Sequence, residues 1–395
     1  MADEIQDLIE AIAKTGESNP SHPPIHQIQP FQHYFLPNGV LDHSRLDERD
    51  GSCIRRELLL RFLLLSAVID QGPDLIGVRD LLVRVTNQLY LKEVRFLHKP
   101  LSFFEELGIA IDQILSEHRT IKSLRARIWA IENRSNPQRY NLFMDNTKQA
   151  MNYAVFRWGV PLALPLLLAQ DCSEEERKPS VLLDYLESWD SAEKMSQQLK
   201  DHERYGLGKA IGDKACHLFA KWMCSSFELS RRRELSWGKF SFEVPYDSNA
   251  GRVLWRTGYL LKWASLDEYN RKGVIRYGAG KGGKHYIRVT NIRGMKTTTM
   301  LPLHIRELYS EIAMNHLKTH NRPPRTVELQ RIQHAYLLAI YGKSNLGVAN
   351  FDDGLIHIGT SFCFNHNKPL CEQCPINTLC EGHQSNKRLI EDFRT

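Results

Sequence analysis

The sequence predicts a mainly α-helical protein, and three observations predict it. From Ile54 onward residues recur at three- and four-residue intervals, as in Leu58, Leu59, Phe62, Leu63, Ser66 and Ala67, which is the period of a helix face. The same pattern returns in segment after segment up to residue 264, separated by polar turns and without an alternating strand pattern. The chain then changes character twice, first into a basic stretch and then into a cysteine cluster. At 395 residues it has room for two or three domains, and 42% hydrophobic content suffices for a packed core.

Residues 1–54 hold one short amphipathic helix candidate, Ile5–Ala13, and then the Pro/His-rich stretch Asn19–Pro37, read as an irregular extension over the surface. Residues 55–264 form the helical domain. Beyond the first helix it is expected to contain Leu75–Leu91, Leu101–Leu115, Met151–Leu168, Ser180–Trp189, Ala192–His202 and Asp213–Phe227. Residues 265–325 read as a basic insertion. Within it Arg271–Lys296 carries eight Lys/Arg and no acidic residue, interleaved with Tyr277 and Tyr286, and His285–Val289 can be one strand of a small basic β-hairpin. Helices are expected again at Leu301–His320 and Thr326–Tyr341, and residues 326–395 end in the cysteine cluster.

Charge and hydropathy narrow the function classes. A net charge of +6 and a pI near 8.8 hint at an anionic partner, and the acid-free stretch Arg271–Lys296 suits phosphate contacts. The apolar stretch Val160–Leu168 is short and broken by prolines, so no membrane span is expected. Met1–Glu10 is acidic and lacks a signal-peptide core, so a cytoplasmic protein is expected.

Three motifs carry chemistry. The strongest is Cys363-x7-Cys371-x2-Cys374-x5-Cys380, in which four thiolates can surround one metal site. Zinc and an iron–sulfur cluster both remain open on spacing alone. The second is Gly206–Ala215, where Gly208, Ile211 and Gly212 permit a tight turn whose backbone N–H groups can seat a phosphate; an ordinary helix–helix turn is the rival. The third is Val244–Val253, in which Asp247 can cap the helix that follows. Gly278–Lys284 nearly spells a phosphate-binding loop, but His285 stands where a magnesium-binding Ser/Thr belongs, so a nucleotide site is rejected. His357, His366 and His383 are read as surface or packing residues, and Trp237, Trp255 and Trp263 as core.

Taken together, in this order, the three motifs resemble the helix-hairpin-helix glycosylase superfamily with an iron–sulfur cluster, of the endonuclease III type. The resemblance covers roughly residues 55–264 and 330–383. It implies a two-lobed helical fold whose cleft holds a flipped nucleotide of double-stranded DNA, with the protein acting as a monomer. It puts Lys214 at the catalytic lysine, Asp247 at the helix-capping aspartate with Arg252 and Val253 after it, and Cys363, Cys371, Cys374 and Cys380 at the ligands of a 4Fe-4S cluster. It makes Gly208, Ile211 and Gly212 the hairpin that contacts DNA, and Gln71, after the helix Leu65–Asp70, a polar residue that enters the duplex. Lys281, Lys284 and Arg288 of the insertion are added on charge grounds as contacts to the phosphate backbone or to the flipped base.

The chain departs from the family pattern at particular places. Ala210 replaces the first hairpin glycine, and Asn249 replaces a histidine. Arg231–Arg233 lengthen the gap from Lys214 to Asp247, the first cysteine spacing is one residue longer, and residues 265–325 have no counterpart.

Base excision breaks a glycosidic bond through a cation-like transition state, which the Asp247 carboxylate can stabilise. A lysine amine can instead attack the sugar and form an imine. From a free pKa of ~10.4, holding that amine neutral at pH 7 costs roughly 4 kcal/mol, and a nearby Asp247 would oppose it. A phosphate contact is therefore the rival role for Lys214. The expected function is a DNA glycosylase excising a damaged or modified base, with or without abasic-site lyase activity. The alternative is a non-catalytic DNA-binding protein with the same fold and cluster, serving DNA modification or defence.

Overall fold

The computed structural model describes residues 2–70, 75–106, 108–124, 126–127, 155–172, 179–239, 242, 244–245, 248–258, 275–279, 285–289, 346–364 and 368–391. It is mainly helical. The helices are α1 Ala2–Ser18, α2 Arg55–Ile69, α3 Leu75–Leu91, α4 Leu101–Glu106, α5 Ile111–Glu117, α6 Val155–Gln170, α7 Val181–Glu187, α8 Ala192–Asp201, α9 Asp213–Lys221, α10 Ser248–Arg256, α11 Val348–Ser361, α12 Glu381–Gln384 and α13 Arg388–Glu391. Strands β1 Arg49–Asp50 and β2 Cys53–Ile54 pair antiparallel, as do β3 Ile275–Ala279 and β4 His285–Val289. The expected helices Leu301–His320 and Thr326–Tyr341 lie outside the described residues.

Contacts divide the chain into two units, residues 22–237 and residues 1–21 with 238–395. These limits cut across boundaries drawn at residues 54 and 264, because α1 leaves its sequence neighbours and packs on α11. The amphipathic segment is longer than Ile5–Ala13 and buries Leu8, Ile9, Ile12 and Ala13. A Cβ added at Gly16 would stand 1.8 Å from the Asn350 carbonyl oxygen, and one at Gly354 would stand 1.9 Å from that of Ile12. Glycine at both positions lets the two backbones touch.

In the unit of residues 22–237, α2 is buried along its whole length, charged residues included. A helix apolar on most sides and buried all round is a central helix, and its charges are answered. Glu57 pairs with Arg61 at 2.9 Å and accepts the N–H groups of Leu182 and Leu183, at 3.1 and 2.9 Å, at the start of α7. Arg56 holds Asp47 at 2.9 Å and donates to the Leu229 carbonyl at 2.9 Å. A carboxylate at a helix N-terminus satisfies donors that the helix itself cannot.

Several helix ends differ from the sequence expectation for local reasons. The stretch Leu101–Leu115 is two helices, because Gly108 adopts φ +67° and ends the first of them. The expected helix Asp213–Phe227 is α-helical only to Lys221 and continues as a π-turn over Trp222–Ser226, which buries Trp222, Met223 and Cys224. In α6 the helix passes through Pro161 and Pro165. Among the described residues no helix is long and apolar enough to cross a membrane.

Candidate functional site

The cysteine loop is built by α10, α11 and the turns that follow. Asn350 Oδ1 accepts the Gly347 N–H at 2.9 Å and starts α11. A Cβ at Gly359 would meet Asn249 Cβ at 2.9 Å, so α10 and α11 also touch closely. After α11 the Cys363 N–H closes back on Ile358 O at 2.8 Å. Short 3-10 turns then set the others: Cys374 N–H bonds Cys371 O at 3.1 Å, and Cys380 N–H bonds Asn377 O at 3.3 Å before Cys380 caps α12.

All four cysteines line one pocket, partly open to solvent, with Val253, Ile358 and Phe362 on its apolar side. None of the four is in a disulfide. Burial pushes the Cys374 thiol up to about 11 and the Cys380 thiol up to about 12, and neighbouring cysteines add to both shifts. Cys374 and Cys380 therefore resist ionising unless a cationic centre compensates. Among the described residues no group of three or more His, Cys, Asp or Glu is placed to hold a metal ion.

Two arginines one turn apart on α10 reach this loop. Arg252 donates to Cys363 O at 2.5 Å, to Gly359 O at 2.7 Å and to Asn249 Oδ1 at 2.8 Å. Arg256 donates to Phe364 O at 2.8 Å and lies 3.4 Å from Cys363 Sγ. The Cys380 thiol in turn lies 3.3 Å from Arg256 O, and Gly382 is required there because a Cβ would sit 2.5 Å from that carbonyl. Arg256 escaped the sequence reading. Its signal is the i, i+4 spacing from Arg252, which puts both side chains on one face of a helix.

The second motif lies in the unit of residues 22–237. Helices α8 and α9 pack together and are joined through residues 202–212. Gly208 opens a 3-10 turn with φ +55°, a value glycine tolerates. Ile211 is extended and buried, and exposed Gly212 is the N-cap of α9 with nothing within 4 Å of an added Cβ. Ala210, at the position of the first family glycine, is buried at 2% exposure. Lys214 stands half-buried in the first turn of α9.

The remaining site residues divide sharply. Asp247 lies outside the described residues, immediately before Ser248, the first residue of α10. Gln71, Lys281 and Lys284 also lie outside them. Arg288 is in β4, paired in register with Arg276 of β3, and β4 lies along α10. Trp237 is buried, as a core residue should be. His383 lines the cysteine pocket.

No protein-family model matches this chain, no curated protein matches it, and no solved structure matches it.

Proposed function

We propose that this protein is a DNA glycosylase of the helix-hairpin-helix type that carries a 4Fe-4S cluster and excises a damaged or modified base from double-stranded DNA. The observation that carries the reading is the chain of hydrogen bonds from the cysteine loop to the start of α10. Arg252 joins Cys363 O to Asn249 Oδ1, and Asn249 is two residues beyond Asp247. The cysteine loop is thus tied to the helix whose first residue, Ser248, follows Asp247 in the sequence.

The donor set fits the group. Four thiols line one pocket, and four thiolates become a stable ligand set once a cationic cluster lies between them. Cys363, Cys371, Cys374 and Cys380 would hold it. When bound, such a cluster supplies a covalent cross-link for the loop and a one-electron redox centre.

The chain's own residues do the excision in this reading. The N–H groups of the turn Gly208–Gly212 and of the α9 N-terminus hold a DNA phosphate. Asp247 stabilises the positive charge that develops on the sugar as the base leaves. Lys214 either attacks the sugar carbon to form an imine, giving lyase activity, or holds a phosphate. Residues of the hairpin Ile275–Val289 add backbone contacts. A monomer acting on a flipped base in the cytoplasm completes the proposal.

The test is a screen of purified protein against duplexes bearing different modified bases, with borohydride trapping on abasic DNA. Release of at least one base supports the reading, and trapping that is lost in Lys214→Gln assigns the lysine. Tight duplex binding without release from any substrate favours the non-catalytic binder, to which Asn249 in place of the family histidine also points.

A further inference from the structure

We propose that Arg256 sets the reduction potential of the cluster, through a fixed positive charge placed against Cys363. The inference rests on the reading that the four cysteines hold an iron–sulfur cluster.

Three observations carry it. Arg256 is 2% exposed, so its charge is held away from water. Its Nη1 lies 3.4 Å from Cys363 Sγ and donates to Phe364 O at 2.8 Å, so the head group is held at the sulfur by the residue next to the ligand. Its own carbonyl accepts from Cys380 Sγ at 3.3 Å, which fixes the main chain of Arg256 beside the last cysteine and is common to every variant at this position. A guanidinium does not lose its proton in a protein, so this charge is permanent.

The physical consequence has a definite sign. Adding an electron to the centre makes the irons, sulfides and thiolates together more negative. A nearby buried cation stabilises that reduced form more than the oxidised one, and low local dielectric enlarges the difference. Hydrogen bonds to ligand sulfurs act in the same direction and are a recognised lever on cluster potential. Arg252 serves as the internal contrast. Its bonds to the Cys363 and Gly359 carbonyls position backbone, whereas Arg256 reaches the ligand atom. Arg256 is thus a positioning and tuning residue, not a catalytic one.

The experiment uses the full chain, purified without oxygen, as wild type, Arg256→Gln and Arg256→Lys. Iron, sulfide and zinc are measured first, then the midpoint potential of the one-electron couple against an electrode. Arg256→Gln keeps a hydrogen-bonding head and removes the charge. It is expected to hold wild-type iron and to become about tenfold easier to oxidise, a shift of about 59 mV to lower potential. Arg256→Lys keeps the charge and is expected to recover at least half of that shift. An iron-loaded Arg256→Gln protein with an unchanged midpoint overturns the inference while leaving the cluster in place. Zinc instead of iron in the wild type overturns the cluster reading and this inference with it. Should Arg256→Gln fail to load, the wild type and Arg256→Lys decide through their iron–sulfur vibrations. A wild-type frequency shift on exchange into deuterated water larger than the one Arg256→Lys gives supports the Arg256 contact to Cys363, and an identical shift in the two proteins overturns it.

Discussion

The two units answer their buried arginines in different currencies of hydrogen bonding. In the unit of residues 22–237, the arginines of α2 end on carboxylates: Arg55 on Glu48, Arg56 on Asp47 and Arg61 on Glu57. In the other unit, Arg252 and Arg256 reach main-chain carbonyls, an amide oxygen and a cysteine sulfur. A carboxylate neutralises its partner, so such a pair is a structural brace. A carbonyl accepts the hydrogen bond and brings no charge, so the bond by itself leaves the arginine cationic. The first arrangement organises a core, and the second ties α10 to the cysteine loop.

Breaking one brace in the first unit gives the largest expected effect. Glu57→Ala removes the partner of Arg61 and the acceptor of two N–H groups at the start of α7. Loss of about 3–5 kcal/mol is expected in urea unfolding, because the arginine is left buried and uncompensated. A loss below 1 kcal/mol would mean that the pair contributes no more than a surface bridge.

The corresponding test in the second unit is steric. Helix propensity alone makes Gly354→Ala stabilising by about 0.5–1 kcal/mol. The new Cβ would stand 1.9 Å from Ile12 O, which forces α1 off α11. Destabilisation by about 1–3 kcal/mol is expected, the range for overpacking. A raised melting temperature would contradict the close approach of these helices.

A third test concerns charge outside both braces. Replacing Lys281, Lys284 and Arg288 together with alanine is expected to weaken DNA binding on every sequence. The slope of log affinity against log salt should fall by up to about three contacts' worth. An unchanged slope would mark the hairpin as a solvated face.

The smallest expected effect is on pH dependence. His98 lies 3.2 Å from Asp50 Oδ1 and 2.7 Å from the Tyr90 hydroxyl. Burial lowers its pKa below the ordinary 6.5, and Asp50 only partly offsets this. The folded state therefore favours the neutral ring, whose contribution is complete above pH 6.5 and is lost as pH falls through the lowered value. His98→Gln should flatten stability between pH 7 and pH 5, measured by thermal unfolding. A steeper loss in the variant would reverse the sign.

Some of this was legible in the chain. Helix α3 has the bounds that periodicity assigns, because its apolar stripe is local information. The paired cysteines of the loop are visible from spacing. Gly108 splits a helix that periodicity joins, since a single left-handed residue overrides a favourable pattern. The close approach of Gly16 and Gly354 is invisible in sequence, because it joins positions at opposite ends of the chain. Arg256 shares a helix face with Arg252 by its i, i+4 spacing, but its partner lies 107 residues away. Nothing in its neighbourhood announces that its partner is Cys363.

The central claim is that Asp247 supports base release. Asp247→Asn keeps the shape of the side chain and removes its charge. On any duplex from which the wild type releases a base, the variant should bind with similar affinity and release base slower by about 10²–10³-fold, because charge stabilisation in a dry site is a large contribution to catalysis. Release at the wild-type rate with binding unchanged would contradict the account.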